Sequence, residues 1–272
     1  MHPAVQPRAW LSPEAKTGKG LLYVSSYNSN FVSIYKQKGT NQSPIGTITA
    51  GLSGPEGMAV DRKLNLYVAN TSNNTVTVYP PGQTSPSTTY SQSLSEPAGV
   101  AVGTDGTVYV ENLGNSIVEY PAGSTSPSHV ISATFPIDAA LDSSNNLYVT
   151  YDFCCVEKFA PGSTTGTDLG IVLSANGGIQ IDGSNNVVVA NQVNTPMIEV
   201  FPPGQTSPSQ VFGQEGDPNP IRFDHKAKHL YVGEPTSSTV NVYAYPSGTK
   251  VNTITSGVDF PAGVALSPES KY

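Results

Sequence analysis

Hydrophobic positions fall into short runs, separated by gaps rich in Gly, Pro, Asn, Asp, Ser and Thr. Val, Ile, Tyr and Thr dominate the runs, which is strand chemistry, and the gaps are turn chemistry. Two kinds of run recur. The first comprises Pro55-Glu56-Gly57-Met58-Ala59-Val60-Asp61, then Pro97 to Gly103, Pro136 to Asp142, Asn176 to Asp182, Pro218 to Asp224 and Pro261 to Ser267. Successive copies start 42, 39, 40, 42 and 43 residues apart. The second kind follows about eleven residues later: Leu66-Tyr67-Val68, Val108-Tyr109-Val110, Leu147-Tyr148-Val149, Val187-Val188-Val189 and Leu230-Tyr231-Val232. A sixth copy, Leu22-Tyr23-Val24, has no first run before it, and Pro261 to Ser267 has no second run after it.

Four short strand-like segments per period of about 40 residues predict a propeller blade. Six copies predict an all-β, six-bladed β-propeller with four antiparallel strands per blade. The unpaired C-terminal run completes the N-terminal blade, closing the ring and removing a free sheet edge. Residues 20–272 are expected to form this propeller, and residues 1–19, with the single Trp10, a lead-in segment packed on an outer face. We number the blade begun by Leu22 and completed by Pro261 to Ser267 as blade 1, and the others 2 to 6 in chain order. The first strand of each blade lines the axis. The loop leading into it and the loop between second and third strands share one rim, the top. The tracts Tyr79 to Pro86, Tyr120 to Pro127, Phe159 to Thr165 and Phe201 to Pro208 then lie on the bottom as structural turns. There Asp61, Asp142, Asp182 and Asp224 are expected to accept backbone N–H bonds.

The pattern P-x-G-V-A-V-D…L-Y-V-A-N…N-T-V-x-V-Y, clearest over Pro55–Tyr79 and Pro97–Tyr120, resembles the NHL-repeat propellers. More distantly it is similar to the six-bladed gluconolactonase/regucalcin group. The resemblance implies the fold across nearly the whole chain. It leaves function open, since this architecture serves scaffolds, lactonases, lyases and hydrolases. Regucalcin-like enzymes hold a divalent ion on the axis with Glu, Asn and Asp. Glu56 corresponds to their first-strand Glu, in the order Pro-Glu-Gly where the family has Glu-Gly-Pro.

Composition narrows the classes. Of 272 residues only 12% are charged, the formal charge is −7, and there are 26 Gly and 23 Pro. No run reaches the ~18 apolar residues of a membrane span, and Met1 opens no leader-like stretch. No Lys or Arg lies between Leu64 and Glu157, against a nucleic-acid-binding surface. Gly and Pro interrupt any long amphipathic helix. Ser, Thr, Asn and Gln supply the polar surface, consistent with an exported, secreted or periplasmic monomer.

Departures from the repeat mark candidate chemistry. The fifth residue of the first run reads Ala59, Ala101, Ala140, Gln180, Arg222, Ala265. Arg222 is either an anion anchor in the tunnel or paired to a neighbour such as Glu234. The residue after the second run is Glu111 where other blades have Ser25, Ala69, Thr150, Ala190 and Gly233. Glu56 is the only carboxylate among Glu56, Ala98, Ile137, Gly177, Asn219 and Ala262. Glu56 and Glu111 are either ligands of an axial cation such as Ca2+ or exposed rim residues. The next position carries Asn70, Asn112, Asn191, Glu234, Tyr151 and Ser26, as further oxygen donors or as loop-forming residues. Asp138 stands where Gly57, Gly99, Gly178 and Gly263 are usual, and with Asp152, Asp217 and Asp259 it makes the top acidic.

Cys154 and Cys155, the only cysteines, are adjacent in the blade 4 top loop beside Tyr151 and Phe153. They form either a vicinal disulfide or two free thiols. His225 and His229 fall in a bottom turn, so the top has no evident His base, and no G-x-S-x-G elbow occurs. The expectation is a binding or scaffold propeller that holds a protein or small molecule on its top face and axial pocket. The alternative is a metal-dependent hydrolase or lactonase with an axial divalent ion.

Overall fold

The computed structural model describes residues 7–175, 177–192, 197–214 and 216–268. Asn176, which opens the fourth first run, lies outside them. The described residues form six antiparallel sheets around one axis. Blades 2 to 4 comprise Pro55–Val60, Leu66–Asn70, Thr75–Tyr79 and Thr88–Tyr90; Pro97–Val102, Val108–Asn112, Ser116–Tyr120 and His129–Ser132; and Pro136–Leu141, Leu147–Tyr151, Cys155–Phe159 and Thr167–Val172. Blade 5 comprises Ile179–Ile181, Val187–Asn191, Met197–Phe201 and Gln210–Phe212, and blade 6 Ile221–Phe223, His229–Glu234, Thr239–Ala244 and Thr249–Ile254. The described helical turns are two 3₁₀ segments, Ala15–Thr17 and Thr71–Asn73, and no described helix is long and apolar enough to cross a membrane.

Blade 1 is closed by both ends of the propeller. Leu21–Ser26 pairs on one edge with Phe31–Lys36 and on the other with Val264–Ser267, in the register Leu22 to Leu266 and Tyr23 to Ala265. Trp10–Leu11 adds a fifth, outermost strand against Gly46–Ile48. Strand alternation then builds the core as six layers between blades. Leu21, Tyr23 and Ile34 face Met58, Val60 and Val68 of blade 2. Leu22, Val24 and Tyr35 face Tyr231, Val240 and Val242 of blade 6.

The glycines of the first run keep the ring tight. A Cβ on Gly99 would stand 2.8 Å from the Ile137 carbonyl oxygen of the next blade, and one on Gly178 2.5 Å from that of Asn219. Gly57 and Gly263 abut the carbonyls of Ala98 and Glu56 in the same way. The bottom turns are built by aspartates. Asp61 Oδ1 accepts the N–H groups of Lys63 and Asn65, both at 2.8 Å. Asp142, Asp182 and Asp224 repeat the arrangement. Burial works against the charge of Asp142, but bonds from Asn146 and Ser144, with Lys158 nearby, outweigh it and hold its carboxyl below the ordinary value.

Gly263→Ala should therefore destabilise the protein by ~1–3 kcal/mol, because the colliding atom is a backbone carbonyl of blade 2. Urea denaturation of the variant against wild type checks this.

Candidate functional site

Arg222 closes the axis. From the first strand of blade 6 its Nη1 donates to Asp138 Oδ2 at 2.7 Å and its Nη2 to Asp138 Oδ1 at 3.0 Å, a bidentate ion pair across to blade 4. Nη1 also donates to the Ile221 carbonyl at 2.8 Å, and Nη2 to the Met58 carbonyl of blade 2 at 3.3 Å. One guanidinium thus ties three alternate blades together. Both partners are buried. Of the two readings of Arg222, the structure gives a pairing, and the carboxylate it meets is Asp138, two blades away. Glu234 is engaged elsewhere: its Oε2 accepts the Asp217 N–H at 2.5 Å and its Oε1 the Asn241 side-chain amide at 3.2 Å.

Asp138 stands at a position that is glycine in four other first runs. In blade 5 the first strand begins only at Ile179. Asp138 Oδ2 accepts the Ile179 N–H at 3.2 Å. The next departure bonds in the same way: Gln180 Oε1 accepts the Phe223 N–H at 3.3 Å and its Nε2 donates to the Ile179 carbonyl at 2.8 Å. Asp138, Gln180 and Arg222 therefore form one network, whose side chains bond one another and backbone groups of the inner strands.

Above the pair, Glu56, Asp138, Arg222 and Asn219 border an axial pocket of about 20 Å³, room for a water or so. Glu56 Oε2 lies 2.7 Å from Thr71 Oγ1, which is also 2.8 Å from the Pro97 carbonyl. Burial pushes the Glu56 carboxyl up to about 7; the Thr71 bond opposes this, and Asp138 adds to it. Glu111 approaches Asp138 from another side. It projects from the second strand of blade 3 toward blade 4, and a Cβ on Gly99 would stand 2.6 Å from its Oε2. Its relative exposure is 0%, and among the described residues neither oxygen lies within ordinary hydrogen-bond geometry of a partner. Burial, with Asp138 next, pushes its carboxyl up to about 8, although its own backbone N–H and Arg222 pull the other way. Thr150 occupies the corresponding place in blade 4 and donates to the Gly177 carbonyl at 3.0 Å.

The sequence expectation placed Glu56 and Glu111 together as cation ligands or on the rim. The structure puts Glu56 at the axial pocket and Glu111 in the layer behind it, because they stand on different strands of different blades. Among the described residues no group of three or more His, Cys, Asp or Glu is placed to hold a metal ion. Asn70, Asn112 and Asn191 turn to their own lead-in loops. Their side-chain oxygens accept the N–H groups of Ser53 at 3.2 Å, Ser95 at 3.2 Å and Ser174 at 3.1 Å. Glu234 makes the equivalent bond to Asp217. In blade 4 Tyr151 stands at this position, and its hydroxyl donates to Glu157 Oε2 at 2.6 Å. Burial, then Glu157, raises the Tyr151 pKa.

The top loop of blade 4 differs from the others. Cys154 and Cys155 are bonded to each other, with an S–S distance of 2.11 Å. Tyr151, Asp152 and Cys154 border a second pocket, of about 330 Å³, between blades 3 and 4. Beside it Phe135 and Phe153 are 51% and 73% exposed, with φ of 50° and 51°. The repeat did not single out Phe135. Its signal was positional: Gly54, Glu96 and Phe260 precede the proline of other first runs and share the positive φ. A second set of latches also went unread, in which Asn30 and Asn74 side-chain oxygens accept the N–H groups of Gly54 at 2.6 Å and Glu96 at 2.7 Å.

A family model for the NHL repeat matches residues 52–79, the first three strands of blade 2. A comparison with curated protein sequences gives no match. Two solved structures share the fold. A chain of the nidogen/laminin complex superposes with a TM-score of 0.78 at 16% identity, covering 91% of this chain and 97% of that one. A chain of Kuenenia stuttgartiensis hydrazine synthase superposes with a TM-score of 0.63 at 17% identity, covering 98% and 92%. The chain is a six-bladed β-propeller with one matched NHL repeat, in blade 2.

Two measurements test the axial electrostatics. Arg222→Ala should cost about 3–5 kcal/mol by leaving Asp138 buried without its cation. Asp138→Gly/Arg222→Ala, which installs residues used at these positions in other blades, should recover most of that loss in urea denaturation. A carboxyl raised in the folded state holds more protons there than in the unfolded chain, so rising pH weakens folding. Stability should fall as pH rises from near 4.5 through about 8 for Glu111. Glu111→Gln should flatten that decline and raise Tm more at pH 8 than at pH 5, read by calorimetry.

Proposed function

We propose that this protein is a binding propeller that holds a protein partner on its top face, with the ring as a rigid mount. The Arg222–Asp138 pair carries the reading. It crosses the axis with a bidentate contact beside a small pocket that Glu56 borders. Substantial ligand contact is then left to the top loops, which vary between blades while the inner strands repeat. The other solved chain's presence in a nidogen/laminin complex is compatible with a propeller used for protein binding, and fold alone does not fix that use. The bonded cysteines favour an oxidising, exported setting. For the alternative, a metal-dependent hydrolase or lactonase, Asp138 is already bidentate to Arg222. Glu56 and the Asn219 side chain are then the main oxygen donors at the axial pocket.

The test uses the full chain as bait, alongside a top-face variant, Asp259→Lys/Phe260→Ser, and a bottom-face variant, Lys63→Glu. Partners captured by wild type and by Lys63→Glu should be lost from the top-face variant. Equal capture by all three would overturn the reading.

A further inference from the structure

We propose that the pocket between blades 3 and 4 receives a positively charged side chain, arginine or lysine, of a protein partner. The inference rests on the top-face reading above and assigns that face its recognition pocket. Its volume, about 330 Å³, falls at the lower end of the roughly 300–1,000 Å³ typical of ligand pockets. One wall comes from the end of blade 3 at Ser132 to Thr134, the other from Tyr151, Asp152, the disulfide and Glu157. The two sides are tied together, since the Asp152 N–H donates to the Phe135 carbonyl at 3.0 Å.

Charge selects the occupant. Asp152 and Glu157 both line the pocket. None of the loops leading into first strands, and none joining second to third strands, contains Lys or Arg. Those loops carry Glu96, Asp152, Asp217 and Asp259. The described cations other than Arg222 belong to the lead-in segment, the bottom turns and the strand ends next to them. Lys158 is drawn to Asp142, 3.8 Å away, and lies over the Tyr148 ring. A cation arriving from solution therefore meets a face with carboxylates and no competing ammonium or guanidinium of its own.

Apolar groups complete the pocket. The disulfide gives it an uncharged sulfur wall where other blades have asparagine or serine loops. Phe135 and Phe153 adjoin its lining residues Thr134, Asp152 and Cys154 in the chain and are exposed. Left-handed φ suits Asn, which holds it at Asn30, Asn74 and Asn115 in the loops corresponding to that of Phe153, and it strains a bulky residue. Here two exposed phenylalanines adopt it, each next in the chain to residues that line an acidic pocket. The aliphatic stem of Arg or Lys can lie along such rings, and its charged head can meet their faces as well as the carboxylates.

Panning a random peptide library on the full chain provides the test, followed by affinity measurements on synthesised hits. The hits should share an Arg or Lys beside apolar residues and should weaken as salt rises. Their affinity should drop at least ~10-fold with Asp152→Asn and also with Phe153→Ser, and should survive Lys63→Glu. Calorimetry should find the two pocket variants as stable as wild type. Absence of hits, or hits without a cationic residue, would overturn the pocket. So would hits that keep their affinity for Asp152→Asn and Phe153→Ser but lose it with Asp259→Lys/Phe260→Ser, while leaving top-face binding in place. Hits indifferent to every top-face variant would overturn both.

Discussion

Six strands converging on one axis bring backbone against backbone, and the first run of each repeat answers that crowding. A glycine faces the carbonyl of the next blade at four of the six junctions, and alanine fills the fifth position in four blades. The two remaining junctions are where the chain does something else. There Asp138 and Pro220 stand in place of glycine, and along the same axis Asp138 and Gln180 accept the N–H groups of Ile179 and Phe223 while Arg222 pairs with Asp138. The polar axis thus engages backbone groups that face away from the strand ladder, placed where a tunnel would otherwise run.

The fold was legible because it is periodic. Spacing predicted six blades and the closing strand, and the aspartates of the bottom turns were readable from turn chemistry. The site was legible only as a set of exceptions. Comparing blades picked out Arg222, Asp138, Gln180, Glu56 and Glu111, since each breaks a column of small or neutral residues. It could not say which exceptions meet. Arg222 finds Asp138 across the axis, 84 positions earlier in the chain, a relation that depends on ring closure and on how far each inner strand extends. The asparagines were ambiguous for a related reason. An Asn side chain serves a ligand or a loop equally well in sequence, and the bond from Ser53 to Asn70 becomes visible only once the lead-in loop is folded over it.

Glu111 and Glu56 illustrate a different limit. Sequence presented them as two negative charges, which suggested a cation. Burial makes the neutral form the stable one for Glu111 at neutral pH, and a neutral carboxyl can donate as well as accept. Its counterpart Thr150 also offers a hydroxyl to a neighbouring carbonyl.

The pairing of Leu21–Ser26 with Val264–Ser267 also has a temporal side. All six residues of the earlier strand are buried in the finished ring, yet their inner neighbour is made 243 positions later, from Leu21 to Val264. At roughly 5–20 residues per second of synthesis, that hydrophobic edge waits on the order of tens of seconds for its partner. Blades 2 to 6 can assemble on the ribosome as they emerge, but the ring cannot shut until translation has nearly passed through the whole propeller. A nascent chain in this interval is an open arc with one sticky edge, the stage at which chaperone binding or exchange of strands between neighbouring chains would act.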